Sequence, residues 1–172
     1  MRGMPNRESA RDAEPLAADE EAFVRAFARA VVVVPRLFDT DLQREEHLSL
    51  SDYTVLMHLS ESMDHRLRMS DLATTCSLSL SGMTRIVDRL AQQGWVTRER
   101  SSSDGRGWNA VLTDAGLARI RSAWPSHLRS VRRHVVDHVT DLDLPAITAA
   151  LQRFVQADRC DDQSTTSHSF TA

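Results

Sequence analysis

The sequence predicts a mainly α fold with one small β-hairpin, and three observations carry that expectation. Apolar residues recur at helical spacing through most of residues 19–157. The period changes to that of a strand in one place only, residues 95–112. The chain has 172 residues, 41% hydrophobic and 26% charged, which is enough for one domain with a real core and too ordinary for a fibrous or wholly unstructured chain.

Residues 1–18 are polar, carry Pro5 and Pro15 and show no sustained period, so they read as a mobile N-terminal arm. The first helix occupies residues 19–46, where Phe23, Phe27, Val31, Val34, Phe38 and Leu42 fall three or four apart and share one face. Pro35 lies inside it and is expected to kink it, because proline lacks an N–H and clashes with the preceding turn. A second helix over residues 51–61 turns Tyr53, Leu56, Met57 and Leu59 inward, with His58 beside them. A short third helix takes Ser70 as its N-cap, continues through Asp71, Leu72 and Ala73, and ends near Cys76. After a serine-rich turn, a fourth helix starts at Ser79 or Ser81, buries Met83, Ile86, Val87 and Leu90, and stops at a left-handed Gly94.

Trp95 to Arg100 then reads as a strand, residues 101–107 as a turn rich in serine and glycine, and residues 108–112 as the returning strand. Thr113 with Asp114 opens a fifth helix that carries Leu117, Ile120, Trp124, Leu128, Val131 and Val135 to near Val139 and bends at Pro125. Asp143 caps the last helix, with Pro145 in its first turn and Leu144, Ile147, Leu151, Phe154 and Val155 on its apolar side. Residues 158–172 read as a disordered tail.

Composition excludes several classes of function. All 21 basic residues are Arg and none is Lys, which removes the Walker A lysine, the Schiff base and the Ser-x-x-Lys nucleophile. G-x-S-x-G, GxGxxG and His-Glu-x-x-His are absent as well, so no enzyme, no catalytic residue and no cofactor is expected. The apolar run from Ala30 to Val34 is five residues long, against the roughly 20 needed to cross a bilayer. With no apolar signal segment after Met1, the expectation is a cytoplasmic protein without a membrane partner. His134 and His138 stand one helical turn apart, a spacing that can chelate zinc, but lack a nearby Cys or third ligand and read as surface or interface histidines, so no metal is expected. Cys76 sits in an apolar slot of the third helix and reads as core. Cys160, in the tail, leaves a cysteine-based redox-sensing regulator as an alternative.

The order helix, short helix, tight turn, helix, hairpin from Ser51 to Leu112 is that of a winged helix-turn-helix, whose second helix lies in the DNA major groove. The polar side of the fourth helix presents Ser79, Ser81, Gly82, Thr84, Arg85, Asp88 and Arg89. Small residues near its start permit close approach to a backbone, and Arg can pair bidentately with guanine. From Arg66 to Arg106 there are seven Arg and four acids, a local +3 on a chain whose total is -3. Positive charge is concentrated where DNA would lie.

These residues carry a resemblance. Asp71-Leu72-Ala73, the run from Ser79 to Leu90, Gly94-Trp95-Val96, Asp104-Gly105-Arg106 and Leu112-Thr113-Asp114-Ala115-Gly116 together resemble the MarR family of bacterial transcriptional regulators. The resemblance implies an obligate homodimer whose first and last helices interlock, with a winged lobe on each side, usually repressing transcription. It also implies release from DNA when a small aromatic or anionic effector fills the cleft between lobe and dimer region. Position by position, Ser81, Thr84, Arg85 and Arg89 match the recognition-helix contacts, Arg106 the wing arginine of the minor groove, and Asp104 the acid that holds the wing. Gly105 departs from the second basic residue common there, which implies a weaker wing contact. Arg36 and His58 are the candidate polar anchors for an effector.

The domain organisation expected is therefore an arm at residues 1–18, a helical dimerisation region at 19–46 and 114–157, a winged helix-turn-helix DNA-binding lobe at 47–113, and a tail at 158–172. The long apolar faces of the first and last helices favour a homodimer independently of the resemblance. The competing reading is a winged-helix protein-interaction module that does not bind DNA.

Overall fold

The structure, a computed structural model, describes residues 15–100 and 107–165. In chain order they form α1 (Ala18–Glu46), α2 (Leu50–Glu61), β1 (Arg66–Arg68), α3 (Met69–Thr75), α4 (Leu80–Gln92), β2 (Val96–Arg100), β3 (Trp108–Leu112), α5 (Asp114–His134) and α6 (Leu144–Thr165). Single 3₁₀ turns occupy Met63–His65 and Val136–His138. The chain divides into two compact units, the first ending at Ser130 and the second beginning at Val131.

Most helices begin where a side chain can accept from the unpaired N–H groups of the first turn. Glu20 accepts from the Ala17 N–H at the start of α1, and Ser49 from the Asp52 N–H at the start of α2. Ser79 accepts from Gly82 N–H at 3.1 Å before α4, Thr113 from Gly116 N–H at 3.0 Å before α5, and Asp143 from Ala146 N–H before α6. Gly94, at φ 73°, follows α4 in the left-handed region that favours glycine. Both α1 and α5 continue as helix through their prolines, Pro35 and Pro125.

Three helix boundaries and one additional strand differ from the sequence reading. Ser70 does not cap α3: the helix begins at Met69 behind Arg68, and the Ser70 hydroxyl donates to the Asp71 carboxylate. The reason is β1, a strand of three residues that runs straight into the helix and is too short to show a period of its own. It makes the hairpin a three-stranded antiparallel sheet of order β1-β3-β2, with Leu67 opposite Ala110 and Val96 opposite Leu112. Helix α5 ends at His134, before the expected Val139. Helix α6 continues past residue 157 to Thr165, where polar residues erase the apolar period but no Gly or Pro stops the backbone.

The core of the first unit lies among α2, α3, α4 and the sheet. Leu56, Leu59, Leu72, Met83, Val87 and Leu90 are fully buried there, each leucine worth roughly 1.5–3 kcal/mol against exposure. Leu42 of α1 and Ile120 and Ala123 of α5 close it. On α2, Val55 is buried as well, and Met57, expected inward, is only partly so. In the second unit, Leu144, Leu151 and Phe154 of α6 are exposed.

A polar seam joins α1 to α5 within the first unit. Ser130, 2% exposed, donates to the buried Asp41 carboxylate at 2.8 Å, and Ser126 donates to Glu45 at 2.6 Å. Arg129 also reaches Glu45, and Arg119 binds both the Glu46 carboxylate and its backbone carbonyl. The Ser126 hydroxyl, then Arg44 and Arg129, hold the Glu45 carboxyl down at about 2.

That value lies below the ordinary 4.5, so ionised Glu45 adds stability above pH 4.5 and loses it as pH falls toward 2. Glu45→Gln is expected to flatten the fall of the urea midpoint between those pH values; an unchanged pH slope would remove Glu45 from the seam. A second expectation concerns Gly116, where a Cβ would overlap the Trp95 carbonyl oxygen and stand 2.7 Å from Leu112 Cδ1. Gly116→Ala should destabilise by about 1–3 kcal/mol in chemical denaturation, although alanine ordinarily favours a helix over glycine.

Candidate nucleic-acid interface

Helices α3 and α4 are joined by a tight turn in which Leu78 N–H donates to Ala73 carbonyl and Ser77 takes a left-handed φ of 53°. Burial of Met83, Ile86, Val87 and Leu90 along α4 leaves the opposite side to Ser81, Arg85 and Arg89, all exposed. Ser79 is the N-cap, and its hydroxyl also lies 3.2 Å from that of Ser81. Thr84 is half-buried and donates to Leu80 carbonyl, so its oxygen retains lone pairs that can accept. Asp104 and Arg106 lie outside the described residues.

Arg89 is not merely a solvated cation. Its guanidinium binds both carboxylate oxygens of Asp52 on α2, with contacts of 2.5 and 3.2 Å, and the Asp52 side chain is 10% exposed. The pair fixes α4 against α2. Arg98 of β2 reaches Asp88 of α4 at 2.7 Å, and Arg66 of β1 pairs with Glu99 of β2 at 2.8 Å. Arg85 and Arg100 are exposed and have no ion pair among the described residues.

Beside α4 lies a cleft of about 280 Å³, lined by Arg68, Met69, Ser70, Leu80, Thr84, Arg98, Gly107 and Trp108. The exposed indole of Trp108 carries Arg98 and Arg100 over its ring at 5.4 and 5.5 Å. Sequence reasoning missed this group and Asp52. Alternation of Arg98 and Arg100 in β2 was a usable signal for the former, but Asp52 lies 37 residues from Arg89 and only the tertiary fold brings them together.

The two candidate effector anchors are separate features. Arg36 is exposed on α1 and His58 half-buried on α2; among the described residues no hydrogen bond or ion pair joins them, and neither lines the cleft. A different group has buried polar atoms without partners among the described residues: Tyr53 Oη and His127 Nδ1. Their rings lie 4.3 Å apart, with Phe38 of α1 edge-on to His127 at 5.5 Å. Burial, with Glu61 nearby, pushes the Tyr53 hydroxyl up to about 12, and burial lowers the His127 imidazole. Burial also raises the Cys76 thiol, which disfavours the reactive thiolate. Among the described residues, no group of three or more His, Cys, Asp or Glu is placed to hold a metal, and no helix is long and apolar enough to cross a membrane.

A capped helix exposed beside a three-stranded sheet defines a winged helix-turn-helix protein. A sequence model of the MarR family matches residues 48–107. The crystal structure of AbsC, a MarR family transcriptional regulator from Streptomyces coelicolor, is 35% identical, with 86% of this chain and 99% of that one covered and a TM-score of 0.76. Sco3205, a MarR family regulator of the same organism solved in complex with DNA, is 32% identical over 85% of this chain and 91% of its own, with a TM-score of 0.75. The transcriptional repressor YetL of Bacillus subtilis is 32% identical over 84 residues, 49% of this chain and 50% of YetL. The chain thus spans about half the length of the curated relatives it matches. It belongs to the MarR family, whose named members here are transcriptional regulators rather than enzymes.

The Asp52–Arg89 pair is testable apart from any ligand. Asp52→Ala and Arg89→Ala should each lower stability by about 1–2 kcal/mol, and the double variant should lose less than their sum. Denaturation of the four proteins at one concentration checks this; additive losses would mean that the pair does not act as a unit.

Proposed function

We propose that the chain is a transcriptional regulator that binds double-stranded DNA sequence-specifically as a homodimer, acts as a repressor, and is released by a small aromatic or anionic effector. The observation that carries this reading is the exposed α4, with its capped N-terminus and an Arg85 that has no ion pair among the described residues, on a chain whose net charge is -3. A helix start of that kind suits a phosphate, and its polar face suits base edges. In this reading Ser79, Ser81, Thr84 and Arg85 contact DNA, and Arg89 orients α4 through Asp52 while offering its remaining N–H groups. Arg106 enters the minor groove from a wing held by Asp104. The DNA complex of Sco3205 and the repressor name of YetL support the reading.

The homodimer is supported by apolar side chains that α1 leaves to solvent, among them Phe23, Val24, Val31 and Val32 at 48–58% exposure. A second copy would cover them. Two recognition helices related by a dimer axis would sit about 34 Å apart and read a pseudo-palindrome. Effector release is supported by Tyr53 Oη and His127 Nδ1, which a ligand inserted among α1, α2 and α5 would satisfy.

Fluorescence anisotropy on DNA from upstream of the chain's own coding sequence, titrated with salt and unlabelled competitor, tests the proposal. Binding should resist random competitor and fall steeply with salt. Arg85→Ala is expected to cost about 1–3 kcal/mol and relax sequence preference, whereas Arg106→Ala should weaken binding to all sequences and lower the salt slope by about 1. A dimer without salt-dependent DNA binding would instead establish the protein-interaction reading.

A further inference from the structure

Trp108 opens β3 directly opposite Arg100, and Arg98 faces Ala110 two pairs further in. Strand alternation therefore puts Trp108, Arg98 and Arg100 on one side of the sheet, together with the buried Val96 and Ala110. That side packs toward α4, since Arg98 reaches Asp88 of that helix at 2.7 Å. Trp108, 41% exposed, prolongs it beyond the core.

One indole carries two guanidinium groups, at 5.4 and 5.5 Å from its ring. Two bare cations on one ring would repel, and Asp88 removes that conflict by neutralising Arg98. Arg100 has the ring and, among the described residues, no carboxylate. Its charge is thus held against the ring and, among the described residues, left without an ion pair. Stacking uses the flat face of a guanidinium and leaves its N–H edge free for a bidentate acceptor such as a phosphodiester. The same indole lines the cleft whose other wall is Leu80 and Thr84, in the opening turns of α4.

We propose that Trp108 is a positioning residue that presents Arg100 to a DNA phosphate at the root of the wing, a contact additional to those of α4 and Arg106. The inference rests on the DNA-binding reading above.

The experiment is salt-titrated anisotropy of the full chain on a random duplex, with Arg100→Gln, Trp108→Leu, Trp108→Phe and the Arg100→Gln/Trp108→Leu double variant. Arg100→Gln should lower the salt slope by about 1, since one phosphate contact is lost. Trp108→Leu should weaken binding roughly two- to fivefold, Trp108→Phe should restore most of the loss, and the leucine change should add little once Arg100 is gone. In DNA-free protein, the ring-current shift of the Arg100 side-chain protons should vanish in Trp108→Leu, which has no ring at that position, and persist in Trp108→Phe. Wild-type binding with an unchanged slope in Arg100→Gln overturns the proposal alone. An equal loss from Trp108→Leu in both backgrounds overturns the positioning role. No salt-dependent binding by the wild type overturns the DNA reading and this inference with it.

Discussion

Only a hydrogen atom fits at position 116. The first turn of α5 is seated on the Trp95 backbone, where a larger residue would strike the carbonyl oxygen and the Leu112 side chain. Around that close approach, Thr113 N–H donates to Trp95 carbonyl, Thr113 Oγ1 donates to Gly94 carbonyl, and Gly116 N–H returns to the same hydroxyl. The residue that ends α4, the strand that leaves it and the start of α5 are fastened at one point. A rotation at the beginning of α5 must therefore be felt at the end of α4, because interfaces packed this closely shift as units rather than deform.

Arginine supplies the other fastenings. Of the arginines between Arg66 and Arg106, Arg66, Arg89 and Arg98 each bind a carboxylate from another element, tying strand to strand, helix to helix and strand to helix. A fork of five N–H donors suits this better than an ammonium, since it can hold a carboxylate by two bonds and still lie against a ring. The surplus of positive charge is consequently smaller at the surface than a count of basic residues implies, and it falls on Arg85 and Arg100 among the described residues. An apparent coat of cations becomes a few placed charges on a rigid frame.

Much of this architecture was legible in the sequence because each signal was local. The apolar spacing of Met83, Ile86, Val87 and Leu90, the caps at Ser79, Thr113 and Asp143, and the glycine at 94 all act within a turn or two of chain. β1 was not legible, because three residues cannot display a period and its partner lies more than forty residues away. Nor was the pairing of Arg89, which the sequence offers only as a candidate DNA contact on the polar face and which the fold sets against Asp52. The effector anchors are the least legible: polarity alone singles out Arg36 and His58, whereas among the described residues Tyr53 Oη and His127 Nδ1 are buried without a partner, and no local pattern in the sequence brings those two together.

The seam between α1 and α5 has an odd symmetry. Asp41 and Glu45 are four residues apart, as are Ser130 and Ser126, so the two acid-hydroxyl rungs are chemically alike and separated by one turn on each helix. A slip of one turn, about 5.4 Å, would leave one rung made and one broken rather than both lost. Two such rungs do not by themselves dictate which alignment is correct. Arg119 does, since its grip on the carboxylate and carbonyl of Glu46 has no counterpart a turn away. The seam thus behaves as a ratchet with a single pawl, and the detent that sets its phase is a residue outside the repeating teeth.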